Sequence, residues 1–167
     1  MTQRQRVDLL RDDRLTLVGL LIESTTALRA NLDRRLDQEA GMPLHRFELL
    51  VRLARSPGRR LRMSDLAAQT SLTPSGLTRA VDRLEEAGLV ERTPCPSDRR
   101  GAYATLTPIG LQRITAAVAP HLDHVEDALT SALTDDEQAE LTDLLRKVRD
   151  HVNPAAAAAI PLGPATS

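Results

Sequence analysis

Residues 73–79 read TPSGLTR. The Thr73 hydroxyl suits a helix cap, and Pro74 suits the first helical position because an N–H there would lack an intrahelical partner anyway. Leu77, Val81 and Leu84 follow at i, i+4 and i+7, so the spacing predicts a helix running to Ala87 with Gly88 as its terminator. Ser75, Thr78, Arg79 and Asp82 then share the opposite face. A helix required only to be soluble would carry long Glu and Lys side chains there. Instead Ser75, Gly76 and Thr78 are short enough to let a helix end approach a base edge or a phosphate, with first-turn N–H groups available to an anion. Arg79 adds a planar fork that can reach a guanine edge, a contact worth about 1–3 kcal/mol in discrimination.

The neighbouring segments fit the same purpose. Upstream, SDLAAQT offers Ser64 as an N-cap and places Leu66, Ala67 and Thr70 on one side of a short helix. Two short helices joined by a turn of about three residues make a helix-turn-helix. Downstream, LVERTPC (89–95) and AYATLT (102–107) alternate with period two around PSDRRG, a turn-forming stretch, so a β-hairpin is expected. Its turn carries Asp98, Arg99 and Arg100, placed to reach an adjacent minor groove, where Arg is favoured.

Further out, Leu15, Val18, Ile22, Leu28, Leu32 and Leu36 mark a long amphipathic helix from residue 13 that stops near Gly41 and Pro43. A second helix, residues 45–55, is expected to bury Phe47, Leu50, Val51 and Ala54 before SPGRR breaks it, and LRM (61–63) is at most an edge strand. After Thr107-Pro108 a long helix carries Leu111, Ile114, Val118, Leu122, Val125 and Leu129, with Pro120 expected to kink it. The last helix opens with the capping-box pair Thr134 and Glu137 and is expected to bury Leu141, Leu144, Leu145 and Val148. The expected fold is mostly α: one domain over residues 1–153, with a helix-turn-helix and hairpin core at 45–107, long flanking helices at 13–40 and 107–150, and a flexible Pro- and Ala-rich tail at 154–167.

Composition agrees. The 167 residues include one Phe, one Tyr and no Trp, so the core must be built from Leu, Val, Ile and Ala. The net charge of −1 is unevenly spread: residues 1–54 carry +1, 55–104 carry +3 and 105–167 carry −5. Phosphate contact depends on local Lys and Arg rather than on the sum, and all nine basic residues of the middle third are Arg. No apolar run reaches eighteen residues and the N-terminus lacks a signal-peptide stretch, so a cytoplasmic location is expected. Cys95 is the single cysteine, so no internal disulfide is possible.

The stretch RMSDLAAQTSLTPSGLTRAVDRLEEAGLVERTPCPSDRRGAYATLTPIG (62–110) resembles the winged helix-turn-helix core of the MarR family of bacterial transcription regulators. It includes the D-x-R wing signature at Asp98-Arg99-Arg100 and the closing LT-x-x-G at Leu106 to Gly110. The resemblance implies a homodimer whose terminal helices intertwine and present two recognition helices to successive major grooves of a pseudo-palindromic double-stranded DNA operator. It implies that Ser75, Thr78 and Arg79 read bases or phosphates and that Asp98 and Arg100 belong to the wing, with Arg99 at the variable position. Ser64, Thr73, Gly76 and Arg83 complete the expected DNA-binding set. The residues point to a dimer independently, because the helices at 13–38, 107–130 and 134–150 carry more apolar face than a small winged domain can cover.

The resemblance also implies a repressor released by a small phenolic or anionic effector bound between the dimer helices and the winged lobe. Arg14, His45 and Arg113 are the polar candidates. Cys95 lies at the hairpin without an obvious basic neighbour in sequence to lower its pKa. His121 and His124, with Asp123 and Asp127 close by, could nucleate a metal site, although such a stripe is more often solvated, and no metal or cofactor is expected. No nucleophile-base set or phosphate loop is present, so the protein is not expected to be an enzyme. The alternative function is a winged-helix protein-interaction or dimerisation module without specific DNA binding, which Asp82, Glu85 and Glu86 favour because they repel phosphate unless paired.

Overall fold

The computed structural model describes residues 9–70, 72–95, 98–154 and 156, with the side chains of residues 98–100 outside that description. Its elements are α1 (Asp13–Ala40), α2 (Leu44–Arg55), β1 (Arg60–Arg62), α3 (Met63–Ala68), α4 (Pro74–Glu86), β2 (Val90–Cys95), β3 (Asp98–Leu106), α5 (Pro108–Ala128) and α6 (Asp135–Val152). The three strands form an antiparallel sheet in the order β1-β3-β2, which leaves β1 at an edge as its length required. This is the mostly helical winged helix-turn-helix expected.

The core is leucine. Leu49, Leu50 and Leu53 of α2 and Leu66 of α3 have no exposed surface, and Leu77, Val81 and Leu84 of α4 join them. Leu61, Ala104 and Leu106 close the core from the sheet, and Ile114 and Ala117 close it from α5. Each fully buried Leu contributes about 1.5–3 kcal/mol. One expectation fails on α2: Val51 and Ala54 are only half-buried, whereas Leu49 and Leu53 lie at its centre. The helix is enclosed on several sides, by α1, α5, β1 and β3, so a single-stripe reading picks too few of its buried positions.

Local chemistry fixes the connections. Gly41 adopts φ 57° and sends its N–H back to Leu36 and Asp37 carbonyls, ending α1. The Asp33 carboxylate then accepts from the Leu44 N–H at 2.7 Å, so α1 caps the start of α2. At the far side of the core the Thr107 hydroxyl donates to the Gly88 carbonyl at 2.7 Å and accepts from the Gly110 N–H at 3.0 Å. A Cβ on Gly110 would sit 2.0 Å from the Leu89 carbonyl oxygen, so only glycine lets α5 start this close to the α4–β2 turn.

Two expectations for the outer elements need correction. The hairpin turn is tighter than PSDRRG suggested, because β3 begins at Asp98, and Cys95 pairs with Asp98 across a register shift at Pro94 and Cys95. Pro120 lies inside α5, which runs as one helix to Ala128. Within one chain α6 buries none of its leucines: Leu144, Leu145 and Val148 are each more than two-fifths exposed. The N-terminal half of α1 is equally uncovered, with Leu15, Val18 and Ile22 outward and Leu17 70 % exposed. Between these helices runs an apolar groove of about 680 Å³ bordered by Leu17, Leu21, Leu28, Leu133, Leu141 and Leu145. Among the described residues no helix is long and apolar enough to cross a membrane.

Candidate nucleic-acid interface

Helix α4 is built as its first turn promised. The Thr73 hydroxyl accepts from the Gly76 N–H at 3.1 Å, with Pro74 at the first helical position. Thr78 turns its hydroxyl back to the Pro74 carbonyl at 3.0 Å, which keeps the side chain close to the helix and the surface low. Leu77, Ala80, Val81 and Leu84 are buried, while Ser75, Thr78, Arg79 and Arg83 are exposed. Arg79 has no ion pair or hydrogen bond among the described residues. Arg83 lies 3.6 Å from Glu86, an exposed i,i+3 contact of the kind that contributes little.

The acidic residues of the same helix are handled by a residue that sequence reasoning did not single out. Arg92, on β2, places Nη2 2.6 Å from Asp82 Oδ1 and Nη1 2.5 Å from Glu85 Oε2. Its backbone N–H donates to Glu85 Oε1 at 3.1 Å and Nη2 also reaches the Thr78 carbonyl at 3.4 Å. Partial burial works against the Arg92 charge, but the hydrogen bonds to Asp82 and Glu85 prevail and raise its pKa. No local signal could have shown this, because the partners are seven and ten residues away on another element.

A notch of about 500 Å³ opens between α4 and the wing, bordered by Arg62, Ser64, Thr78, Asp82, Arg92 and Gly101. Ser64 therefore borders this notch, but it is not a helix cap. The cap position of α3 is Arg62, without a side-chain cap bond, and the Ser64 hydroxyl donates to Asp65 at 3.3 Å. The chain passes straight from β1 into α3, which moves the boundary two residues ahead of the first available hydroxyl. On the edge of the sheet, the Arg60 and Arg62 guanidinium carbons lie 4.9 and 5.9 Å from the Tyr103 ring centroid. Arg62 is raised in pKa by its hydrogen bond with Tyr103 and next by the charge interaction with Cys95. Cys95 is buried. The wing side chains Asp98, Arg99 and Arg100 lie outside the described ones, although their backbone opens β3 beside this notch.

The three residues selected for effector binding are not brought together within one chain. Arg14 sits at the start of α1, exposed and paired with Asp12 at 2.6 Å. Arg113 donates to the Ala40 carbonyl at the other end of that helix, about 39 Å away at 1.5 Å per residue. His45 borders a shallow hollow with Arg29, Asp33 and Leu44. His121 and His124 are neither a solvated stripe nor a metal site among the described residues. His124 is 8 % exposed and meets Glu39 of α1 at 3.0 Å, and His121 lies against Phe47 of α2 with ring centroids 4.3 Å apart. Burial, then the neighbouring His124, hold the His121 pKa below its ordinary value against the opposing pull of Glu48.

Known proteins share this arrangement. The MarR family sequence profile matches residues 40–101. Sco3205 of Streptomyces coelicolor, a MarR family transcriptional regulator solved in complex with DNA, is 41% identical, with a TM-score of 0.76 over 83% of this chain and 87% of that one. The chain belongs to the MarR family. A further MarR-family likeness is to a mutant MarR from E. coli complexed with operator DNA, 28% identical, TM-score 0.69, covering 82% of this chain and 96% of that one. The HTH-type transcriptional repressor Rv2887 of Mycobacterium tuberculosis is 36% identical over 109 residues, 65% of this chain and 76% of the relative. Membership makes this chain a transcriptional regulator rather than an enzyme.

Proposed function

We propose that this MarR-family chain works as a cytoplasmic homodimer that binds a pseudo-palindromic double-stranded operator and represses transcription until a small phenolic or anionic effector releases it. The observation that carries the reading is the exposed Ser75–Thr78–Arg79 surface of α4, with Arg79 uncommitted among the described residues. In this reading Ser75, Gly76, Thr78 and Arg79 enter the major groove, and Ser64, Thr73 and Arg83 meet the flanking phosphates. Asp98, Arg99 and Arg100 serve the wing. The uncovered leucines of α1 and α6 supply the dimer contact, and twofold pairing sets the reading heads about 34–36 Å apart, one turn of duplex. Sco3205 solved in complex with DNA and E. coli MarR complexed with operator DNA support binding, and the similarity to the transcriptional repressor Rv2887 supports the direction.

Selection of duplexes from a random pool tests this directly. A two-half-site consensus is expected, and Arg79→Ala is expected to weaken binding to it by about ten- to a hundredfold while leaving the dimer intact. Arg100→Ala is expected to lower affinity with a shallower salt dependence. Recovery of no preferred sequence would leave the protein-interaction reading standing. That rival drew on the acidity of α4, and two of its three carboxylates are engaged by Arg92. The effector is tested by adding phenolic and aromatic carboxylate compounds to the preformed complex; release by none of them would remove that part of the proposal.

A further inference from the structure

Asp82 stands three residues after Arg79 on α4, a spacing at which Asp and Arg pair readily on a helix surface. Left to themselves, the two would pair part of the time, and Asp82 would compete with DNA for Arg79. Glu85 stands a further turn along, so the helix that must meet phosphate carries two carboxylates on its wing side. In the structure neither pairs with Arg79. Both are held by Arg92, which reaches α4 at residues 78, 82 and 85, a single stripe i, i+4, i+7.

We propose that Arg92 is a positioning residue of the DNA interface: it draws Asp82 and Glu85 towards the wing, leaves Arg79 free to read, and fixes the angle between recognition helix and wing. The inference rests on the DNA-binding reading above. Two carboxylates facing phosphate would repel it, and one guanidinium forking between them removes half of that charge and orients the remainder away from the groove. With its side chain 27 % exposed and its two Nη atoms on the carboxylates, Arg92 acts through α4 rather than as a phosphate ligand. Fixing the helix against the ribbon also keeps the α4 and wing contacts in one register, which is what phosphate and groove contacts require of a reading head.

The test uses the full-length protein and the duplex that the wild type selects from a random pool, with a scrambled duplex of the same length for comparison. If the wild type prefers no duplex, the DNA reading fails before Arg92 is examined. Otherwise Arg92→Gln is expected to weaken the selected duplex at least about tenfold. Adding Asp82→Asn and Glu85→Gln to it should recover most of that loss, with an unchanged salt slope. Loss without recovery, or loss with a slope shallower by about one unit, would overturn the proposal, since the first is a fold defect and the second a direct phosphate contact. Should Arg92→Gln not fold, the Asp82→Asn/Glu85→Gln double variant keeps the question open to decision. It sets Arg92 loose beside the groove, so binding to the scrambled duplex should rise and the preference for the selected one fall at least about threefold. An unchanged preference would equally overturn the proposal.

Discussion

Replacing Gly110 by Ala should be among the most damaging single-methyl changes available to this protein. The added Cβ would lie 2.0 Å from the Leu89 carbonyl oxygen, 2.9 Å from its carbonyl carbon and 2.8 Å from Leu106 Cδ1. Two of these three atoms are backbone, so no rotamer change relieves the overlap; α5 must withdraw from the α4–β2 turn by about 1 Å or more to reach ordinary carbon–oxygen separation. That withdrawal strains the bonds from Thr107 to Gly88 at 2.7 Å and from the Thr107 N–H to Leu89 at 3.1 Å. Overpacking of this kind costs about 1–3 kcal/mol, and two weakened hydrogen bonds add about 1 kcal/mol each. The sum, about 3–5 kcal/mol, is a large part of the 5–15 kcal/mol that holds typical domains together. Thermal unfolding followed by circular dichroism should show Tm lowered by about 6–20 °C for a chain of this size. An unchanged Tm would refute the claim that close approach of α5 to this turn requires glycine.

Three other outcomes follow from named contacts. Thr73→Ala removes the cap on α4 and should cost about 1 kcal/mol in denaturant unfolding; Thr73→Ser, which keeps the hydroxyl, should cost less, and an Ala variant as stable as the wild type would argue that the hydroxyl does not cap. For His121, whose folded pKa lies below the ordinary 6.5, the unfolded chain takes up the proton first, so this stability is present above that pH and is lost on acidification. The stability advantage of wild type over His121→Asn should therefore be largest near neutrality and shrink towards acid, and a gap independent of pH would count against burial of the neutral ring. Leu145→Glu places a charge in the apolar groove between α1 and α6. It should weaken self-association at least about tenfold in sedimentation while hardly changing the fold of one chain, and an unaltered association constant would move the dimer contact elsewhere.

How much was legible in the amino-acid order depends on the range of the interaction involved. Most of what is set within one turn of chain could be read directly: the Thr73-Pro74 start, the Thr134 and Glu137 capping box, the Gly41 stop, and the stripe Leu77, Val81, Leu84 that leaves Ser75, Thr78 and Arg79 outside. These depend on hydroxyls, a missing N–H, a missing Cβ and a 3.6-residue period, which are properties of neighbours. The LT-x-x-G stretch was recognisable as a pattern, but its reason, a carbonyl of Leu89 where a Cβ would be, exists only once α5 has folded back on the α4–β2 turn. Ser64 does not take the cap expected of it, since β1 feeding directly into α3 moved the cap position to Arg62.

What the order of residues determined by itself was a helix with a low polar face, a ribbon after it, and long apolar helices around both. Only the tertiary structure decided which charges that face presents, because Asp82 and Glu85 look like a liability until Arg92 arrives from β2. It likewise turned His124 from a solvent-facing candidate into a buried link to Glu39. Each of these depends on atoms far apart along the chain and adjacent in space. Electrostatic energy follows that spatial separation, which periodicity along a single helix cannot supply.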